Sequence, residues 1–303
     1  MRVFIAGASG AIGRPLVAQL VEAGHEVVGM TRTNADVLRA LGAEPVVADA
    51  FDAEAVHAAV EAAGPDVVVN QLTDLSRPLN PRRYDDWLAG TNRLRREATR
   101  NLADAAAGAG ASKFISQSVA FAYRFDPGVK TEDSPCIGAA AGDMGTSLDE
   151  LERITLAAAG GIVLRYGFFY GPGTAYDRGG QQIEMIRKRQ MPIIGDGSGA
   201  FPFIHVDDAA AATVCAIERG APGIYNVTDD EPAPGCEWIP YVADVVGAKQ
   251  PRRIPAWVAR LVAGRMSGFA TSLQPVSNAK AKQELGWQPR YSSWRQGFRA
   301  ELG

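Results

Sequence analysis

The sequence has few residues of the kinds that mark extracellular, metal-binding or membrane proteins. Three cysteines, Cys136, Cys215 and Cys236, occur in 303 residues, and an odd number without paired spacing argues against a disulfide framework. The three histidines are scattered and show no metal-ligand spacing. No apolar run approaches the length of a membrane span, and the glycine-containing start MRVFIAGASG does not resemble a signal peptide. We therefore expect a cytoplasmic protein without a metal site.

The sequence also lacks an excess of positive charge. Its net charge is -3, which argues against nucleic acid or an acidic membrane as a partner, because either would require a basic surface. The basic runs RKR at 187–189 and PRR at 251–253 are short and fit solvated helix or loop positions. With 47% hydrophobic and 21% charged residues, the composition is that of an ordinary globular protein. A small molecule is the expected partner.

Short apolar runs alternate with alanine-rich amphipathic segments in the first half of the chain. The apolar runs are continuous instead of alternating, which is typical of parallel strands covered on both faces. Strand–helix alternation predicts a doubly wound α/β fold. The predicted strands are 2–7, 25–31, 45–50, 66–70, 113–118 and 161–167, and the predicted helices are 14–24, 53–64, 84–108 and 148–160.

The amino-acid composition changes after about residue 170, where glycine and proline become frequent. Further helices are predicted at 180–190, 207–219, 237–247 and 255–264. We expect a first domain of residues 1–170 that is rejoined by about 204–225. We expect a smaller, irregular second domain, made of 171–203 and 226–303, to close over the carboxyl edge of the sheet.

A glycine motif follows the first predicted strand directly. Gly7, Gly10 and Gly13 in GASGAIG have the spacing G-x-x-G-x-x-G and precede a helix. Glycines permit the tight turn and let the backbone approach a pyrophosphate, while the helix N-terminus offers unpaired N–H groups. This context favours a dinucleotide site, and the alternative is a tight turn without a ligand.

The end of the second predicted strand indicates which dinucleotide binds. An acid there would bind the ribose hydroxyls, but Gly29–Thr33 contains none. Arg32, assisted by Arg14, is suited to a 2′-phosphate, which favours NADP(H) over NAD(H); a solvated loop cation is the alternative. Asp49, after the third strand, is suited either to the adenine amino group or to capping the next helix.

Further motifs follow in order along the chain: RYGFFYGPG at 165–173, FIHVDDAAAA at 203–212, YNVTDDEP at 225–232 and AKQELGWQPRYSSWRQGFR at 281–299. Together with GASGAIG, they resemble the extended short-chain dehydrogenase/reductase superfamily, in its NAD(P)-dependent epimerase/dehydratase branch. The resemblance covers nearly the whole chain. It implies an NADP-binding Rossmann domain and a smaller C-terminal α/β substrate domain, with the ligand between them. It also makes a homodimer a reasonable expectation, because this family often dimerises.

The resemblance implies that the cofactor lies along the cradle and the carboxyl ends of the strands. Gln117 comes from strand five, and Tyr166 lies where the family contacts the nicotinamide ribose. The expected cofactor contacts are Gly7, Ser9, Gly10, Ala11, Ile12, Gly13, Thr31, Arg32, Asp49, Ala50, Gln71, Leu72, Gln117 and Tyr166.

The family's chemistry depends on a Tyr-x-x-x-Lys pair and a Ser or Thr. Position by position, the tyrosine falls on Met144 and the lysine on Leu148, and no Y-x-x-x-K occurs anywhere in the sequence. In QSVAFAY, Val119 takes the Ser/Thr position if Tyr123 is aligned, whereas a one-residue gap puts Ser118 there. The pattern resembles the atypical members of the superfamily, which keep the cofactor fold but lack the pair.

Several other polar residues are candidates for the missing acid or base. Tyr123, together with Ser118, is our first choice, and the alternative is an aromatic residue packed on the pocket wall. Asp143 is suited either to act as an acid, through a carboxyl group with a raised pKa, or to cap a helix. His205 is expected to be buried and hydrogen-bonded. Arg95 fits either an anionic substrate or a solvated helix face.

Three functions remain open at this stage. The first is an NADP(H)-dependent, epimerase/dehydratase-like oxidoreductase that acts on a small carbonyl or hydroxyl substrate with a relocated acid/base. The second is a catalytically silent NADP(H)-sensing regulator. The third is a non-redox isomerase, lyase or cyclase on the same scaffold.

Overall fold

The structure is a computed structural model that describes residues 1–75, 77–80, 83–263 and 265–303, without the side chains of 262–267. The last residue of the helix predicted at 255–264 lies outside the described residues. In chain order the strands are β1 Arg2–Ala6, β2 Glu26–Thr31, β3 Glu44–Val47, β4 Val67–Asn70, β5 Lys113–Val119, β6 Ile162–Tyr166, β7 Phe168–Tyr170, β8 Ile193–Ile194, β9 Ala200–Phe201, β10 Phe203–His205, β11 Gly223–Val227, β12 Ala233–Pro234 and β13 Arg253–Ile254.

The helices alternate with the strands through the first part of the chain and dominate its end. They are α1 Gly13–Glu22, α2 Ala35–Ala40, α3 Ala53–Ala63, α4 Tyr84–Arg93, α5 Thr99–Gly108, α6 Asp143–Ala157, α7 Gln181–Arg187, α8 Val206–Arg219, α9 Gly235–Val245, α10 Ala256–Ala263, α11 Arg265–Ser272, α12 Ala279–Leu285 and α13 Trp294–Leu302.

A seven-stranded sheet forms the centre of the described part of the molecule. Its order is β11-β6-β5-β4-β1-β2-β3, and every adjacent pair is parallel. In β4 all four residues are buried, as expected for a strand covered on both faces. The order reverses direction between β1 and β4, and ligands bind at such a switch point in open α/β sheets. The predicted α/β, doubly wound, parallel-sheet fold is confirmed.

Two apolar layers cover the sheet. On one face, Leu16 and Val17 of α1 pack with Ala209 of α8 and the strands. On the other face, Val60 of α3 and Leu102 of α5 pack with the strands. Each layer buries the apolar stripe of amphipathic helices, which is the main favourable term for this architecture.

A third apolar cluster lies in the C-terminal part. Trp238 of α9 and Phe298 of α13 pack with Phe203 of β10 and Tyr170 of β7. Because β7 follows β6 after one residue, this cluster is attached at the carboxyl end of the central sheet. β11, by contrast, joins the central sheet beside β6. The predicted division into two domains stays a prediction.

The structure differs from the predicted elements in a few places. β3 ends at Val47, because residues 48–52 form the turn into α3. The predicted helix 84–108 contains a π-helical turn, Leu94–Ala98, between α4 and α5. α6 begins at Asp143, five residues earlier than predicted. No helix among the described residues is long and apolar enough to cross a membrane.

Candidate cofactor and active site

The glycine cradle leaves no room for side chains. Gly7 has a φ of +85°, and a Cβ there would lie 2.8 Å from the carbonyl oxygen of Gln71. A Cβ on Gly13 would lie 2.3 Å from the carbonyl oxygen of Gly7. The Gly10 amide donates to that same oxygen at 3.0 Å and closes the turn. Only glycine fits at Gly7 and Gly13, so the backbone is open to a ligand.

The N-terminus of α1 is free to bind an anion. Ile12 precedes the helix and provides no side-chain cap, and the first turn contains no acid. The unpaired N–H groups and the positive end of the helix dipole therefore favour a negatively charged ligand. The pyrophosphate of a dinucleotide fits this arrangement, and Gly7, Gly10 and Gly13 are the residues that would hold it.

The candidate residues beyond the cradle differ in how tightly they are held. The Oγ atoms of Ser9 and Thr31 are 3.0 Å apart, and Arg14 Nε donates to the Ser9 carbonyl at 2.9 Å. Arg32 is exposed and has no hydrogen bond or ion pair among the described residues. Asp49 is also exposed and accepts from the Phe51 amide at 3.0 Å. The cap of α3 is Asp52, so the expectation that Asp49 caps this helix is wrong.

Near the carboxyl ends of β4, β5 and β6, some candidate side chains are already engaged. Tyr166 is buried, accepts from Gln71 Nε2 at 3.2 Å and lies 2.6 Å from Thr213 Oγ1. Burial raises the pKa of Tyr166 to about 12 despite these two hydrogen bonds. Gln71 Oε1 is buried and has no partner in the described part of the chain. Gln117 is half-buried, and the Leu72 amide donates to the Asn70 side chain.

The two candidate catalytic residues share a buried polar network beneath α6. Ser118 Oγ donates to Glu152 Oε1 at 2.6 Å, and Arg165 donates to both oxygens of Glu152 at 2.9 and 2.6 Å. Arg165 also donates to the Tyr123 hydroxyl at 2.9 Å, and that hydroxyl donates to Asn226 Oδ1 at 2.6 Å. We define these five residues as the Arg165 network. It occupies the polar atoms of both Ser118 and Tyr123.

Burial opposes ionisation of Tyr123, whereas its hydrogen bonds within the network favour it. Its side chain is 4% exposed, and burial raises the pKa of the phenol to about 12 although Arg165 favours the charged form. Burial opposes the charge of Arg165 as well, but the hydrogen bonds and the negative charge of Glu152 outweigh burial and raise the pKa of the guanidinium. The arrangement is a hydrogen-bonded buried ion pair, whose components hold one another in place.

On α6, Met144 is half-buried and Leu148 is buried. The Tyr84 hydroxyl, on α4, lies 3.5 Å from Met144 Sδ. Burial raises the pKa of Tyr84, while the charge of Arg95 opposes this shift. Tyr84 was not a candidate in the sequence, because it belongs to none of the motifs that we considered. Its position beside Met144 depends on the packing of α4 against α6.

Two further candidates, Asp143 and His205, differ in their surroundings. The Asp143 carboxylate forms an ion pair with Arg96 and accepts from Asn92 at 2.8 Å, and these contacts lower its pKa. The expectation of a raised pKa is wrong, and Asp143 lies inside α6 instead of capping it. His205 is 1% exposed, accepts from the Asp207 amide at the start of α8 and lies 3.2 Å from Glu301. The prediction of a buried, hydrogen-bonded histidine is confirmed.

Known proteins resemble this chain over nearly its full length. A reductase from a Streptomyces species, named 3-diazoavenalumate denitrifying reductase, is 44% identical over 99% of this chain and 100% of its own. A 2-alkyl-3-oxoalkanoate reductase from Stenotrophomonas maltophilia is 25% identical over 94% of this chain and 87% of its own.

Solved structures share the fold. A human epimerase family protein, solved with NADPH, has a TM-score of 0.77 at 22% identity and covers 100% of this chain and 99% of its own. A dTDP-glucose 4,6-dehydratase from Streptomyces venezuelae, solved with NAD, has a TM-score of 0.79 at 19% identity and covers 100% of this chain and 96% of its own.

The glycine cradle, the open N-terminus of α1 and the order of the sheet agree with these relatives and support the binding of a nucleotide cofactor. Residues 3–228 match the family described as the NAD dependent epimerase/dehydratase family. By this match and by its similarity to the Streptomyces reductase, the chain belongs to the NAD dependent epimerase/dehydratase family.

Proposed function

We propose that this protein is an NADP(H)-dependent reductase that transfers a hydride to a small electrophile and does not use the Tyr/Lys pair of its family. The electrophile that we favour is the diazo group of an aryl compound in its diazonium form. The group is lost as dinitrogen when the compound is reduced. The observation that carries the proposal is that α6 has Met144 and Leu148 at the positions of the Tyr/Lys pair, in a chain that keeps an intact glycine cradle. The 44% identical relative, named as a denitrifying reductase of a diazo compound, supports it.

The chemistry of a diazonium ion fits an active site without an acid/base pair. A bound nicotinamide would supply the hydride. An aryl diazonium ion, one NADPH and no proton give the arene, dinitrogen and NADP⁺: one C–H bond forms and one C–N bond breaks. A carbonyl group, in contrast, takes up a hydride and also a proton, which the Tyr/Lys pair helps to deliver. The residues of α6 then have only to orient the substrate and exclude water.

The experiment follows NADPH consumption with 3-diazoavenalumate and with the simpler 3-diazobenzoate. We expect one NADPH oxidised for each molecule of arene formed, at a rate above that of heat-inactivated protein. Gly13→Ala, whose Cβ would collide with the Gly7 carbonyl, is the control and is expected to be inactive. If the protein oxidises NADPH no faster with either diazo compound than without one, the diazo reaction is excluded. If the protein instead accelerates conversion of the diazo compound to the phenol, with water added, dinitrogen and a proton released and no NADPH consumed, a non-redox function replaces ours.

Reduction of a small carbonyl compound is the second candidate. It is favoured by the Tyr84 hydroxyl, which lies beside Met144 and is suited to donating a proton, and by the similarity to an oxoalkanoate reductase. Activity on a 3-oxoalkanoate that is lost in Tyr84→Phe would select this candidate. Tight NADPH binding without turnover on either class would instead favour the regulatory function.

Arg32 carries the proposed preference for NADP(H). It is exposed at the end of β2 and has no ion-pair partner among the described residues, so its charge is available to a 2′-phosphate. We expect Arg32→Gln to weaken NADPH binding by roughly tenfold and to leave NADH binding unchanged. Arg39→Gln, on the neighbouring α2, is the matched control because Arg39 already pairs with Asp36. Calorimetric titration measures both, and equal losses for NADPH and NADH would contradict the assignment.

A further inference from the structure

Arg95 is a buried cation without an anionic partner. The residue is 9% exposed. Its Nη1 donates to Asn92 Oδ1 at 3.0 Å and reaches Ser147 Oγ at 3.5 Å, and both acceptors are neutral. No carboxylate among the described residues lies within ion-pair distance of it. Buried charges are costly unless they are paired, so this position is unfavourable in the absence of an anion.

The acids near Arg95 are engaged by other arginines. Asn92 separates Arg95 from the nearest of them, since its amide donates to Asp143 at 2.8 Å while its oxygen accepts from Arg95. Asp143 itself pairs with Arg96. Burial lowers the pKa of Arg95 to about 10, which leaves the guanidinium charged at neutral pH. The other arginines of α4, the π-helical turn and α5 each have a carboxylate partner: Arg93 with Glu97, Arg96 with Asp143 and Glu150, and Arg100 with Glu150.

The guanidinium lies at the part of α6 where the proposed chemistry occurs. Ser147, which it contacts, comes directly before Leu148 and donates to the Met144 carbonyl at 2.9 Å. The Tyr84 hydroxyl approaches the Met144 side chain, and Tyr84 and Arg95 are close enough to influence each other's pKa. Arg95 also lies in the π-helical turn Leu94–Ala98, and such turns are frequent at functional sites.

We infer that Arg95 binds a carboxylate of the substrate, with the Tyr84 hydroxyl as a second donor to the same group. This inference rests on the proposed function, because it places the anion in the site that receives the hydride. A guanidinium presents a planar fork that matches a carboxylate, and a single cation matches a single negative charge. The carboxylate then fixes the orientation of the substrate beside Met144, where the Tyr/Lys pair is absent.

The test compares an unreactive carboxylate with its neutral amide. The NADP⁺-saturated protein is titrated calorimetrically with 3-aminobenzoate and with 3-aminobenzamide. We expect the wild type to bind the acid at least about tenfold more tightly than the amide. Arg95→Gln is expected to reduce this preference to about one. Arg100→Gln, which removes a paired arginine from the adjoining α5, is expected to keep this preference.

Several results would overturn the inference. These are equal affinity of the wild type for acid and amide, no binding of either compound, or a full preference for the acid in Arg95→Gln. Arg95→Lys keeps the charge without the fork and is expected to retain part of the preference, so it serves as the second variant if Arg95→Gln does not fold. Circular dichroism and thermal unfolding of each variant distinguish loss of binding from loss of fold.

Failure of the inference and failure of the proposed function are distinguishable. A preference for the acid without any NADPH oxidation on diazo compounds would retain the carboxylate site and remove the proposed reaction. Equal turnover of 3-diazobenzoate and of its methyl ester would retain the reaction and remove the carboxylate site.

Discussion

The molecule buries two arginines against α6, and their surroundings are opposite. Arg165 donates to both oxygens of Glu152, and its charge is neutralised in place. Arg95 reaches only the neutral oxygens of Asn92 and Ser147. Both are as buried as the apolar core, so the difference lies in their partners. The first arginine completes a structural network, and the second remains available to an anion from outside the chain.

This difference separates residues that hold the fold from residues that face a ligand. The Arg165 network engages Ser118 and Tyr123, which are the polar residues that the sequence favoured for catalysis. The group around Arg95 includes Tyr84, whose hydroxyl has only a weak acceptor, the sulfur of Met144, among the contacts described. A buried polar atom with strong partners contributes to stability, whereas one without them points to a binding site.

The largest expected effect is on the Arg165 network. Glu152→Ala leaves Arg165 buried without a partner and should lower the free energy of unfolding by about 3–5 kcal/mol. Urea unfolding measures it. Glu150→Ala, which removes a carboxylate from partly exposed pairs on the same helix, should cost less than about 1 kcal/mol. Similar losses in the two variants would show that Arg165 is not held as we describe.

Tyr123→Phe tests whether this residue serves structure or chemistry. Losing the hydroxyl leaves Asn226 and Arg165 each with one partner fewer, so we expect the free energy of unfolding to fall by about 1–2 kcal/mol. We expect kcat of the folded variant to stay within about twofold of the wild type, since the hydroxyl is engaged in the network. A large fall in kcat with little change in stability would support the catalytic assignment made from the sequence.

Arg95→Met should change the free energy of unfolding in the opposite direction to Glu152→Ala. The substitution removes a buried charge that lacks a counterion and keeps a long apolar side chain, so we expect the free energy of unfolding to rise by about 1 kcal/mol. The variant should also lose its preference for carboxylates. Urea unfolding of wild type and variant, both without added anions, measures the effect. A loss of stability as large as that of Glu152→Ala would mean that Arg95 has a structural partner.

Asp229→Asn should have a smaller effect on stability, and the size of this effect depends on pH. Burial raises the pKa of this carboxyl well above its usual value, and the charges of Glu231 and Asp230 add to the shift. Because the folded pKa is raised, the protonated carboxyl's contribution is complete below the unfolded pKa of about 3.9 and is lost as pH rises through the folded pKa. Asp229→Asn should therefore raise the Tm at neutral pH and change it little near pH 3. A gain of equal size at both pH values would contradict this account.

The glycine cradle of the candidate cofactor site was predictable from the sequence. The signal is local, because it consists of glycines at positions 7, 10 and 13 next to short apolar strands. Gly7 and Gly13 have the close backbone contacts that only glycine permits. The absence of a Tyr-x-x-x-Lys pattern is likewise visible in the sequence. The hydrogen bonds of the Tyr123 hydroxyl were not predictable, because its partners Arg165 and Asn226 lie 42 and 103 residues away along the chain.

By itself, the sequence determined the doubly wound α/β fold and the glycine cradle, because both depend on hydrophobic periodicity and on local backbone geometry. Tertiary structure alone decided which buried polar side chains have partners. The packing of α4 and the π-helical turn against α6 brings Tyr84 to Met144 and Arg95 to Ser147. The packing of β6 beneath α6 places Arg165 within ion-pair distance of Glu152. Whether a buried charge is paired depends on distances between segments remote in the chain, and no local pattern encodes those distances.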